Sequence, residues 1–292
     1  MQLAPVMMTK VQREAGTGCL YLVATPIGNL EDITLRAIRI LKEADIIACE
    51  DTRQTQKLLR HYGIRKEMVS YHEHNELTRS PELAIELEQG AKIALVSDAG
   101  TPGISDPGHR LVTLCLRHHI PVVPIPGPSA LVAALAASGL PTEEFLFIGF
   151  LPPRAGARRK ALDALKAESR TLIFYEAPHR VVETLADATE ILGPRPAVIA
   201  REVTKIHEEF LRGPLAELLE SARKRAPRGE ITLLIGPGDP QAQQVELSVS
   251  LKERVEQLEA EGGIDRKAAL KQAARERGLG KREAYKQLLL ER

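Results

Sequence analysis

Residues 93–108, Ile93-Ala94-Leu95-Val96-Ser97-Asp98-Ala99-Gly100-Thr101-Pro102-Gly103-Ile104-Ser105-Asp106-Pro107-Gly108, run from an apolar stretch straight into a loop of glycines, prolines and two acids. Four consecutive apolar residues ended by turn formers read as a buried strand. Thr101-Pro102-Gly103 suits a tight turn, because proline presets φ at the first central position and glycine accepts the positive φ required at the second. Open α/β sheets bind ligands beyond the carboxyl ends of their strands, so Asp98 to Gly103 is the first expected pocket wall.

Two other strand ends repeat this design. Tyr21-Leu22-Val23-Ala24 runs into Thr25-Pro26-Ile27-Gly28-Asn29-Leu30, and residues 122–125 run into Pro126-Gly127-Pro128-Ser129. If the three strands are parallel, their loops gather on one sheet edge. Apolar runs at 19–24, 46–49, 68–71, 93–96 and 121–125 alternate with helical spacing such as Leu35, Ile38, Leu41 and Leu83, Leu87. That alternation predicts a largely parallel sheet with helices on both faces. A second set of strands is expected at 145–149, 171–175, 197–201, 208–211 and 230–235, with helices at 158–167, 180–192 and 215–223. The chain therefore divides into a flexible tail (1–18), an α/β domain (19–127), a second α/β domain (128–240) and a linker with a basic helical domain (241–292). An alanine-rich helix over 130–137 is expected to start at Ser129 as N-cap.

Composition sets outer bounds. A length of 292 residues favours two domains plus an extra piece, and 43% hydrophobic with 27% charged residues is ordinary for a soluble globular protein. Cys19, Cys49 and Cys115 are too few and scattered for a disulfide framework, which predicts reduced thiols and a cytoplasmic protein. No apolar stretch is long enough to cross a bilayer, so no membrane partner is expected. Net charge is +1, but residues 263–292 hold nine Lys or Arg against four Asp or Glu. Basic charge is thus concentrated at the end.

The chain lacks the phosphate-cradling Gly-x-x-x-x-Gly-Lys-Ser/Thr, and no Gly-x-Gly-x-x-Gly follows its first strand. Asp98 among backbone donors suits a cationic or zwitterionic small molecule better than a polyphosphate. Polar residues that follow strands are candidates for the cleft, each with a plainer alternative. Glu50, Asp51 and Arg53 are catalytic candidates, or cap and first-turn charges on a helix over 52–60. His72-Glu73-His74 reads as a polar cleft wall or a substrate contact rather than a metal site, since no third ligand lies nearby in sequence. Glu176 and Arg180 are either an ion pair at a helix start or a catalytic acid and a phosphate clamp. Lys205 either eases formation of an alkoxide or lies on the surface. For nucleic acid, two basic clusters stand out: Arg154, Arg158, Arg159 and Lys160, and Lys281, Arg282 and Lys286. The latter three sit in the second of two helices meeting at Gly278-Leu279-Gly280, a helix-turn-helix pattern that alternatively only packs. Aromatics make up 3% of the chain, so phosphate and shape reading outweigh stacking.

Taken together, residues 25–30, 97–108 and 126–130 with Glu176-Ala177-Pro178-His179-Arg180 and Arg201-Glu202-Val203-Thr204-Lys205 resemble the ribosomal RNA small subunit methyltransferase I family. This branch of the tetrapyrrole-methylase-like enzymes uses S-adenosylmethionine to methylate a cytidine ribose 2′-hydroxyl in 16S rRNA. The resemblance implies two α/β domains of that type with the cofactor in the cleft between them, a C-terminal helical domain and a homodimer. It implies cofactor contacts from Pro26, Gly28, Asp98, Ala99, Gly100, Thr101, Pro102, Gly103, Ser129 and Ala130, and 16S rRNA in the assembled small subunit as partner. Small residues are expected there because a β-carbon keeps the backbone from approaching a ligand. A tetrapyrrole methyltransferase and a non-catalytic, nucleic-acid-binding metabolite sensor are the rival readings.

Overall fold

The structure, a computed structural model, describes residues 18–238, 250–262, 265–276 and 279–290. The expected N-terminal tail up to residue 17 and the linker over 241–249 lie outside the described residues.

The first sheet comprises β1 (Cys19–Val23), β2 (Ile46–Cys49), β3 (Glu67–Ser70), β4 (Lys92–Val96) and β5 (Val122–Ile125) in the order β3-β2-β4-β1-β5. Every pairing in it is parallel. Alternation along β1 sorts its side chains between faces: Tyr21 and Val23 pack with Ala37, Ile40 and Leu41 of α1 (Leu35–Glu43) and Leu59 of α2 (Thr52–His61). Leu20 faces the other way, onto Leu83 and Leu87 of α3 (Glu76–Glu88) and Leu111 and Cys115 of α4 (His109–Arg117). The period of two thus commits the strand to helices on both sides, as in doubly wound sheets. Because β1, β4 and β5 are adjacent and parallel, the three Gly/Pro loops leave the same edge.

A second sheet contains β6 (Phe145–Phe150), β7 (Thr171–Glu176), β8 (Pro196–Arg201), β9 (Glu209–Pro214) and β10 (Ile231–Ile235), ordered β6-β7-β10-β8-β9. It is mixed: β6 and β7 are parallel, while β10 runs antiparallel to both its neighbours. One face packs on α6 (Ala155–Ala164), α7 (Val181–Leu192) and α8 (Leu215–Lys224); the other is covered by Ala134 and Leu135 of α5 (Ala130–Ser138). The expected helix at 158–167 starts three residues earlier, at Ala155 with Arg154 as N-cap after Pro152-Pro153, and closes at Leu165, whose N–H turns back to Leu162 and Asp163. The strand expected at 208–211 extends to Pro214, which an edge strand tolerates because its missing N–H faces no neighbour. Ser129 occupies the N-cap position of α5, yet its side chain makes no capping bond.

Three C-terminal helices, Leu251–Gly262, Arg266–Glu276 and Lys281–Leu290, share a small core of Leu251, Val255, Leu258, Ala269, Leu270, Ala273, Ala274 and Ala284. Among the described residues no helix is long and apolar enough to cross a membrane.

Candidate functional site

The three loops beyond β1, β4 and β5 are fastened to one another. Thr25 and Gly100 exchange both backbone hydrogen bonds at 2.9 Å, joining the first loop to the second. Thr101 Oγ1 donates to Pro128 O at 3.4 Å, joining the second to the third. A β-carbon on Gly127 would stand 2.9 Å from Ala24 Cβ, so the third loop also lies against the first. The turn within 101–104 forms as its sequence dictates: Gly103 has φ +82°, and Ile104 N–H closes on Thr101 O. Asp98 ties in the loop after β2, since its Oδ1 accepts from Asp51 N–H at 3.0 Å.

These loops form one side of a cleft whose other side comes from the second sheet. The larger chamber, about 660 Å³, has the loop residues Asp98 to Thr101, Ser129 and Ala130 on one wall and Phe150, Tyr175, Glu176 to Pro178, Ala200 and Ile231 on the other. Phe147 and Phe150 pack against Tyr175 with ring centroids 5.0 and 5.7 Å away. Its volume suits a ligand of coenzyme size, and sites of that size run from roughly 300 to 1,000 Å³. A smaller chamber of about 440 Å³ adjoins it, walled by residues 25–28, Leu30, Gln54, Lys57 and Leu58. Asp98, Ala99, Ile27, Lys205 and Glu230 line both. Pro102 and Gly103 shape the turn but belong to neither wall.

Lys205 is the piece of the second domain that reaches onto the first. Its Nζ is held by Glu202 at 2.9 Å and Glu230 at 3.1 Å. Burial works against its charge, but hydrogen bonds to the two carboxylates outweigh it and raise its pKa, so the ammonium persists at neutral pH. Its stem lies directly over Gly28, where a β-carbon would sit 2.3 Å from Lys205 Cγ. Gly28 was expected to admit a ligand to the backbone; what it admits is this lysine. The supporting loop is strained, with Glu202 and Thr204 at φ +50° and +69°. Such conformations persist only when neighbours enforce them, and they cluster at functional sites.

Several expected catalytic groups are engaged in holding elements together. Asp51 caps α2 through Arg53 N–H at 2.8 Å and pairs with the Arg53 guanidinium at 2.9 Å, which lowers its carboxyl to about 2. Glu176 is buried; it accepts from Thr184 Oγ1 at 2.5 Å and Ala177 N–H at 2.8 Å. Arg180 donates to Leu151 O at 2.6 Å, while its Nε lies 3.4 Å from Glu176 without hydrogen-bond alignment. The Glu176–Arg180 pair and the bond to Leu151 O thus fix the 176–180 wall of the cleft.

The basic cluster at 154–160 is likewise divided. Arg158, expected to meet RNA, is 2% exposed and bonded to Asp187 at 2.7 Å and Glu183 at 3.3 Å. Arg159 is shared between Asp187 and Glu190. These carboxylates lie on α7, so the two arginines pin α6 to α7, and only Arg154 and Lys160 stay exposed and available. In the C-terminal helices Lys286 is exposed, Lys281 and Arg282 begin the Lys281–Leu290 helix, and Gly278 of the expected turn lies outside the described residues.

Asp106, which carries no motif of its own in the sequence, belongs to the larger chamber. Burial first, then Glu50, push its carboxyl up to about 6. Glu50 itself is raised, by burial and by Asp98. A cleft lined by Asp98 and Asp106, with Glu50 near enough to raise the Asp106 carboxyl, favours a cation. The signal was present in the sequence as an acid three residues beyond the Pro-Gly turn, but a loop aspartate is also an ordinary turn former.

Fold and cleft together define a methylase class: the profile of the Tetrapyrrole (Corrin/Porphyrin) Methylases matches residues 19–219. Among solved structures, uroporphyrin-III C-methyl transferase from Thermus thermophilus complexed with S-adenyl homocysteine superposes with TM-score 0.54 at 23% identity, covering 75% of this chain and 97% of that one, which shows a shared fold. Much more similar in sequence is the ribosomal RNA small subunit methyltransferase I of Halalkalibacterium halodurans, 57% identical over 224 residues, 77% of this chain and 78% of that protein. Its namesake in Mesorhizobium japonicum is 54% identical over 227 residues, 77% of each chain. The chain belongs to the ribosomal RNA small subunit methyltransferase I family.

Proposed function

We propose that this protein transfers a methyl group from S-adenosylmethionine to the ribose 2′-hydroxyl of a cytidine in 16S rRNA, acting in the cytoplasm on the assembled small subunit. The observation that carries this reading is the larger chamber itself, apolar-walled and edged by carboxylates. Apolar residues such as Ile104, Phe150 and Ile231 suit an adenosine ring, and Asp98 and Asp106 suit a sulfonium and an amine. S-adenosylmethionine brings a methyl carbon bound to cationic sulfur, which departs as a neutral thioether. Backbone groups of 98–101 and of Ser129 and Ala130 would hold it, on loops that their mutual hydrogen bonds keep rigid.

The ribose hydroxyl must lose its proton as its oxygen gains carbon. Lys205 is protonated, so it serves as a cation that lowers the energy of negative charge on that oxygen and does not serve as the base. Asp106, ionised above about pH 6, is a proton acceptor within the same chamber. Glu176, Arg180, Asp51 and Arg53 act by positioning the walls. The exposed basic residues Arg154, Lys160 and Lys286 contribute phosphate contacts, with Lys281 and Arg282 on the same terminal helix. Apolar side chains exposed on the paired helices α3 and α4, Leu77, Ile85 and Leu116, support a homodimer, to be read from the molar mass in light scattering.

The deciding experiment supplies the purified chain with isotopically labelled S-adenosylmethionine and, in separate reactions, small subunits from a strain lacking the enzyme or a tetrapyrrole. Label on a single cytidine ribose is expected. Labelling of a tetrapyrrole with none on rRNA would replace this reading by its nearest rival, and binding without any transfer would leave a sensor.

A further inference from the structure

The smaller chamber has a function of its own to account for. It shares Asp98, Lys205 and Glu230 with the larger one, and its separate wall comes from α2: Gln54, Lys57 and Leu58. Lys57 Nζ donates to Gln54 Oε1 at 3.0 Å, which leaves both Gln54 amide hydrogens and two lysine hydrogens available. Pro26, Ile27 and Leu30 give it an apolar side.

Charge on α2 extends beyond the chamber. Residues 52–66 contain five Lys or Arg and no Asp or Glu. Arg53, Lys57, Arg60 and His61 fall at i, i+4, i+7 and i+8, a single helical face, and all four are exposed. Arg65, also exposed, follows the helix. Arg60, Arg65 and Lys66 make no ion pair among the described residues, in contrast to Arg158 and Arg159. A cavity lined by one helix thus opens onto a cationic face of that same helix, on which Arg53 is paired with Asp51 while Lys57 and Arg60 make no ion pair among the described residues.

We propose that the smaller chamber takes a single unstacked nucleotide of the RNA substrate, with Lys57 and Gln54 as its polar contacts, and that the α2 face carries the adjoining phosphodiester strand. This rests on the methyl-transfer reading for the larger chamber. Lys205 and Asp98, common to both chambers, would then stand where sugar and methyl donor meet. Extruding one nucleotide is how enzymes reach an atom that stacking conceals, and a polyanionic strand needs a line of exposed cations beside the hole.

The test uses the full chain with Lys57→Ala, Arg60→Ala and the double variant, and Arg223→Ala as a charge control. Both test positions are exposed, so unchanged melting temperatures are expected. Affinity for a short single-stranded RNA is measured against salt, the KM for small subunits is measured in the transfer assay, and S-adenosylmethionine affinity is measured by calorimetry. The expected result for the double variant is at least tenfold weaker RNA binding, a salt slope smaller by about one per lost phosphate contact, a raised KM, and unchanged cofactor affinity. Gln54→Ala should raise KM without changing the salt slope. RNA affinity and slope equal to the parent's would overturn the proposal, because they are read whether or not any methyl is transferred. Normal RNA binding lost on Lys57→Ala with no transfer by the parent chain would instead discard the methyl-transfer reading alone.

Discussion

Gly28 has no room for a side chain, since the Lys205 stem occupies the place its β-carbon would take. Gly28→Ala should therefore displace Lys205 while leaving the fold intact: the melting temperature holds, and methyl transfer falls by at least tenfold in a single-turnover assay. At Gly100 the same logic fails, because its φ of +81° makes any replacement a backbone test before it is a ligand test. Asp106 supplies a pH prediction with a definite sign. Its native carboxyl titrates at about 6, above the ordinary aspartate value of 3.8, so the folded state holds an extra proton between those limits and stability declines as pH rises through them. Asp106→Asn should raise the melting temperature above pH 6 and change nothing below pH 3.5. In the parent chain, affinity for S-adenosylmethionine should fall as pH drops through 6, whereas that for the uncharged thioether product should fall less; calorimetry from pH 5 to 8 reads both.

Among the elements, α6 and α7 show how a basic run can serve structure. Arg158 is buried against Asp187 and Glu183, and removing one partner of such a pair leaves a buried charge uncompensated. Arg158→Ala should cost about 3 kcal/mol in urea unfolding, while Lys160→Ala, at an exposed position, should cost under about 0.5 kcal/mol. In sequence the two look alike, because adjacent cations carry no mark of which will meet the acids on a helix 25 to 31 residues later. The α2 face was overlooked for the converse reason. Its cations are spread over three turns rather than run together, and only the helix aligns them.

On the scale of the whole molecule, the C-terminal helices have a core of their own, joined to the second sheet through a segment outside the described residues. Ending the chain at Pro237 should leave cofactor affinity unchanged in calorimetry and reduce binding to small subunits; undiminished binding would confine the helices to packing. The sequence by itself determined the parallel first sheet, the alternation of its side chains between two helical layers, the turn at Pro102-Gly103 and the gathering of three loops, because periodicity and turn chemistry act between near neighbours. Only the tertiary structure decided that Lys205 lies on Gly28, that Arg158 and Glu176 are buried among partners rather than free reagents, and that burial pushes the Asp106 carboxyl up to about 6. Each of these depends on which distant group comes within a few ångströms and how much water is excluded between them, and local sequence does not encode that.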